Sequence, residues 1–89
     1  MSEPNDSLIE YPCDFPIKVF GAAQPDFAQA IATVVRAHDN GFNAATIEMR
    51  NSSNARYISL TCTVRATSRA QLDALYRDLT SHPMVKMVL

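Results

Sequence analysis

Tryptophan is absent from this chain of 89 residues, and glycine and cysteine occur only twice each. No uninterrupted apolar run approaches the roughly 18–20 residues that span a bilayer, so a membrane span is not expected. The opening Met-Ser-Glu-Pro-Asn-Asp-Ser lacks both a basic segment and an apolar core, so it does not read as a secretory signal, and the expected address is the cytoplasm. Cys13 and Cys62 stand far apart with no Cys-x-x-Cys spacing, which points to neither a redox pair nor a zinc site, and no metal or cofactor is expected. In a reducing compartment both thiols are expected to be free. An excess of either charge is lacking too: the net charge is −1 and the pI near 6.0. Nucleic-acid binders draw much of their affinity from neutralising phosphates, so this balance disfavours a polyanion as partner.

What is present is an apolar share of 47%, normal for a folded chain, in a length that allows one core and no second domain. Stability of roughly 5–10 kcal/mol is expected at this size. Residues 1–7 read as a disordered tail and residues 8–89 as one domain. Leu8-Ile9-Glu10-Tyr11-Pro12 places bulky apolar groups ahead of any regular element, and reads as a cover across the domain or else as a partner-binding arm.

Ile17-Lys18-Val19-Phe20-Gly21 alternates with period two and predicts a first strand, with Pro16 at its start and Gly21 at the turn that follows. Pro25 suits the opening of a helix and Asp26 its positive end. Phe27, Ala30, Ile31, Val34 and Val35 form its apolar stripe, and Gly41 after Asn40 fits a left-handed cap. Ala45, Ile47 and Met49 alternate with Thr46, Glu48 and Arg50 as a half-buried second strand. Asn51-Ser52-Ser53-Asn54 reads as a hairpin loop.

In the third strand Ile58, Leu60, Cys62, Val64 and Ala66 are expected inside, with Tyr57, Ser59, Thr61, Thr63 and Arg65 outside. Ser68-Arg69-Ala70-Gln71 is a capping box for a second helix with the stripe Leu72, Leu75, Tyr76 and Leu79, which stops before Pro83. Val85–Leu89 supplies a last strand. The order strand, helix, strand, strand, helix, strand makes two split βαβ units. Right-handed crossovers then lay both helices on one face of a four-stranded antiparallel sheet, in the order fourth, first, third, second. The expected fold is an α+β, ferredoxin-like βαββαβ sandwich.

The run Glu10-Tyr11-Pro12, Phe15, Lys18-Val19-Phe20-Gly21 and Pro25 resembles the opening of the YbeD-like family of short bacterial proteins. Tyr57-x-Ser59-Leu60-Thr61, Leu75-Tyr76-x-x-Leu79 and Val85-x-Met87-Val88-Leu89 are similar to its later blocks. The resemblance implies a fold related to the ACT regulatory domain, and an association with lipoate attachment through neighbouring genes. ACT domains commonly bind amino acids at the loop after the first strand, often through a Pro-Gly pair. Here Asp26 follows Pro25 where that glycine would stand, so a side chain obstructs close backbone approach.

No catalytic constellation emerges. His38 reads as a surface residue favoured by a helix C-terminus, Asp73 and Asp78 as solvated charges, and Cys62 as packing. The loop after the first strand lacks the arginine that an acylphosphatase of this topology needs. Phe20 and Tyr57, with Lys18 and Arg65, lie on the open face where an RNA-recognition motif stacks bases, but Ser59 and Thr61 stand where further aromatics belong. The leading expectation is a small regulatory or protein-interaction module without catalysis of its own, as a monomer or weak homodimer. A small-metabolite sensor comes second and weak RNA binding third. Binding is expected at the loop Gly21, Gln24, Pro25 and Asp26, or at the edge Val85–Leu89.

Overall fold

The computed structural model describes residues 10–52, 54 and 56–89. The tail predicted over residues 1–7, the pair Leu8 and Ile9, and Ser53 of the predicted hairpin loop lie outside the described residues. The elements run β1 (Cys13–Ala22), α1 (Phe27–His38), a 3-10 turn (Ala44–Thr46), β2 (Glu48–Asn51), β3 (Tyr57–Ala66), α2 (Arg69–Thr80) and β4 (Val85–Val88). The sheet is antiparallel in the order β2-β3-β1-β4, as the two split βαβ units require.

The centre of the sheet is the ladder from Cys13 opposite Ala66 to Ala22 opposite Tyr57. It begins four residues earlier than the alternation of Ile17–Gly21 suggested, and Pro16 therefore sits inside β1 instead of at its start. The reason is directional. Lys18 exchanges main-chain bonds with Leu89, at 3.1 and 2.8 Å, so Lys18 faces the β4 side. Two residues back, Pro16 faces that side as well, where β4 offers it no partner and a missing N–H costs nothing.

Ile17, Val19, Leu60, Cys62, Val64 and Ala66 are fully buried under the helices, with Ile58 nearly so. From α1 come Phe27, Ile31, Ala32 and Val35, and from α2 Leu72, Leu75 and Leu79, so each helix buries one stripe. Of the described residues of the Leu8–Pro12 segment, Tyr11 is half-buried against the same core, while Glu10 and Pro12 are exposed.

Several local expectations need correction. Gly21 does not turn the chain: it is a buried residue of β1, where a Cβ would strike Met84 O and lie 2.6 Å from the Phe27 ring. Pro25 precedes α1 instead of entering it, and Asp26 is the N-cap without a capping side-chain bond. Gly41 is not left-handed. Asp39 ends α1 instead: its backbone N–H bonds Val35 O, and its Oδ1 accepts from Gly41 N at 3.2 Å in a side-chain turn.

The second strand is shorter than the alternation of Ala45–Arg50 implied. Residues 44–46 form the 3-10 turn, because Asn43 Oδ1 caps Ala45 N at 2.9 Å and Asn43 O takes bonds from Thr46 N and Oγ1. Nor is β2 half-buried. Met49 points to the helix side, opposite Leu60, yet stays 54% exposed because an open groove separates it from α1.

Candidate binding surface

The ends of three elements meet at one lock. Arg65, near the end of β3, extends past β2, and its N–H is taken by Asp39 Oδ2 at 2.9 Å. Its carbonyl accepts from Gln71 Nε2 at 3.1 Å, and the same amide donates to His38 O at 2.8 Å. Gln71 Oε1 accepts from Thr67 N at 2.6 Å, so its side chain reaches one residue beyond the cap Ser68, whose Oγ holds Gln71 N at 3.1 Å. One side chain thus ties α1, β3 and α2 together. Spacing marked Gln71 as a cap residue, but no local pattern signals its contact with His38.

His38 is also more than a surface residue. Its Nε2 lies 2.6 Å from Asp78 Oδ2, joining the two helices across their exposed side. Asp78 is therefore a hydrogen-bond partner of His38 and not simply a solvated charge, while Asp73 pairs loosely with Arg69 at 3.9 Å. His38 and Asp78 are too distant in sequence for any helical spacing to have linked them.

Cys62 lies inside the core, and burial pushes its thiol from 9.0 up to about 11. Cys13 is half-buried, and both cysteines are free. Burial likewise raises the Tyr76 hydroxyl above its usual value of 10.0. Among the described residues no group of three or more His, Cys, Asp or Glu side chains could hold a metal ion, and no helix is long and apolar enough to cross a membrane.

Among the described residues, the opposite face of the sheet has no layer over it. Alternation places Lys18, Phe20 and Ala22 of β1 there, with Tyr57, Ser59, Thr61, Thr63 and Arg65 of β3, Glu48 and Arg50 of β2, and Met87 of β4. Phe20 is half-buried between Ser59 and Met87, while Tyr57 and Met87 are 48% and 49% exposed, and Leu89 beyond β4 reaches 62%. Phe20, Arg50 and Tyr57 border a shallow hollow of about 170 Å³. Lys18, Glu48 and Arg50 place charges of both signs on the same face, and an Arg65–Asp14 pair at 3.4 Å lies at the far end of the ladder.

The loop after β1 borders this face. Ala23 N donates to Arg56 O at 3.0 Å, which holds the loop beside the β3 end, and Phe27 N donates to Gln24 O at 3.1 Å. Gln24, Pro25 and Asp26 are exposed next to the Ala22–Tyr57 rung. Gly21 lies on the other side of the sheet, under Met84 and Phe27, so it shapes the loop without reaching the surface. A separate groove of about 450 Å³ lies on the helix side, between Ala28, Ala32 and Arg36 of α1 and Ala44, Ile47 and Met49 of the β2 edge.

Residues 6–89 match the model of a family described as "Protein of unknown function (DUF493)". The chain belongs to this family. A UPF0250 protein of Paraburkholderia phytofirmans is 60% identical over 89 residues, covering both chains completely. A UPF0250 protein of Bordetella pertussis is 59% identical over 86 residues, covering 97% of this chain and 94% of its own. The family is the YbeD-like one that the sequence blocks resemble. Its fold recurs in the solution structure of HP0495 from H. pylori, with a TM-score of 0.72 at 13% identity, over 98% of this chain and 88% of that one.

Proposed function

We propose that this family member is a small cytoplasmic regulatory or protein-interaction module, without catalysis of its own, that receives a partner protein on its helix-free sheet face and the adjoining Gln24–Asp26 loop. The observation that carries this reading is the apolar group of half-buried Phe20 with exposed Tyr57, Met87 and Leu89, on a sheet face that no described residue covers. An apolar centre with a rim of Ser, Thr and mixed charges is the usual anatomy of a protein interface. Lys18, Arg50 and Arg65 are balanced there by Glu48 and Asp14, so the face suits a protein surface of mixed charge better than a nucleic-acid backbone. Gln24 and Asp26 can hydrogen-bond a partner's main chain. Asp26 disfavours an anion at the start of α1.

Metabolite sensing is a second reading, supported by the α1–β2 groove. Its volume of about 450 Å³ suits a small ligand, and its lining is mostly apolar with Gln29, Thr33 and Arg36 as polar groups.

Partner capture under mild lysis, repeated with Gln24→Arg and with Tyr57→Ser, tests the first reading. Each variant should lose the partner while its thermal midpoint stays within about 2 °C of the parent, since both positions are exposed. A partner recovered equally with both variants overturns the sheet-face reading. A partner lost instead with Ala28→Gln, which narrows the groove from a half-buried position, favours the second.

A further inference from the structure

β2 uses only one side of its backbone. Ser52 N donates to Tyr57 O at 2.9 Å, and pairing directions alternate along a strand, so Arg50 and Glu48 turn their main-chain groups to β3. Those of Met49 and Asn51 point away from the sheet, which among the described residues ends at β2. Every residue of β2 is exposed. Such an edge is a template for another strand unless lysine, proline or a bulge guards it. The opposite edge is guarded: β4 carries Lys86, and its pairing shifts register between Phe20 and Gly21. β2 has no lysine, proline or bulge, and only its shortness and the charges of Glu48 and Arg50 guard it.

The geometry points to a second copy of this chain as the occupant, joined β2 to β2 about a two-fold axis at Met49 to make one continuous eight-stranded sheet. The sequence Glu48-Met49-Arg50 is self-complementary when read antiparallel: Glu48 faces Arg50 of the second copy, and Arg50 faces its Glu48. Neither side chain has an ion-pair partner among the described residues of its own chain. The directions of the main-chain groups make Met49 opposite Met49 the hydrogen-bonded pair. Glu48–Arg50 then falls at the non-hydrogen-bonded positions, where side chains approach most closely.

Asn51 N–H donates to the second copy's Ile47 carbonyl. Ile47 N–H is already spent on Ala44 O at 3.1 Å, so the ladder needs nothing from it. On the helix side the two Met49 side chains, each 54% exposed, cover one another. They do so beside the groove whose walls of Ala28, Ala32 and Ala44 leave room for close approach. An isologous contact of this kind closes at two copies and cannot grow into a filament. Its area is small, so association in the range of about 10–100 µM is expected.

Sedimentation velocity from about 1 µM to about 1 mM should show a monomer–dimer equilibrium that weakens with salt. Glu48→Arg puts like charges opposite each other at both positions and should raise the dissociation constant at least about tenfold. Adding Arg50→Glu to that variant restores both pairs and should bring the constant back to within about threefold. Met49→Pro removes an N–H that β3 does not use, and should leave a folded monomer at every concentration. If that variant does not fold, the charge reversals carry the test. Tyr57→Ser, on the outer face, should leave dimerisation unchanged, which separates this interface from the partner face proposed above. A parent chain monomeric to about 1 mM overturns the inference. So does a dimer indifferent to Glu48→Arg, or a double reversal that does not recover.

Discussion

On β3, Ile58, Leu60, Cys62, Val64 and Ala66 lie beneath two helices, whereas Tyr57, Ser59, Thr61, Thr63 and Arg65 have nothing above them among the described residues. The two sets share one backbone paired to the same neighbouring strands, so the ladder holds both. They differ in what is removed from water. The inner set is close-packed against α1 and α2 and carries the stability of the fold. The outer set is constrained chiefly by the pleat, so its chemistry is free to serve recognition. A strand of this kind separates folding from binding by side-chain parity alone.

The sharpest way to break that contrast is to truncate one residue from each face. Leu60→Ala leaves a cavity in the fully buried layer and should cost about 2–5 kcal/mol in denaturant unfolding. Thr61→Ala, its neighbour on the open face, should change stability by no more than about 0.5 kcal/mol. Similar losses from both would mean that the outer face is covered as well.

A smaller effect is expected from pH. The folded chain keeps the Cys62 proton up to about 11, while the unfolded chain releases it near 9.0. The native state then binds more protons than the unfolded state, so stability falls as pH rises from 9.0 to about 11 and is unaffected by this group below that window. Tyr76, also raised, adds to the loss above its usual 10.0. Cys62→Ala should flatten the lower part of this decline in urea melts taken at successive pH values. In the native protein a thiol reagent should label Cys13 while Cys62 reacts only on unfolding, and equal labelling of both would contradict the packing of β3.

Tyr57→Ser should have the smallest effect on stability, within about 0.5 kcal/mol, with its consequence confined to partner capture.

The parity of β3, the stripes of both helices and the strand order were all legible in the sequence, because each rests on periodicity and on the handedness of crossovers. The short edge was not. Ala45, Ile47 and Met49 alternate correctly, but alternation cannot reveal that Asn43 captures the backbone at residues 45 and 46 and winds it into a 3-10 turn. The end of α1 misled for a related reason. Asn40-Gly41 carries the composition of a left-handed cap, while Asp39 supplies the turn through its own carboxylate. Gln71 and the His38–Asp78 pair depend on elements brought together only by the fold. For the candidate surface, the exposed positions Gln24, Pro25 and Asp26 were readable as a loop. The apolar group formed with Met87 and Leu89 needed the register of β4.

The long central ladder also sets the order in which the domain can assemble. Every rung, from Ala22–Tyr57 to Cys13–Ala66, joins the first quarter of the chain to its third. During synthesis β1 therefore emerges well before its partner, and α1 and β2 must be made while it waits. The helices and the β2–β3 hairpin involve only local closure and can form early, whereas pairing β1 with β3 closes a long loop against chain entropy. Docking of β1 onto β3 is then the slow event of folding, and the interval before it leaves Ile17 and Val19 in water.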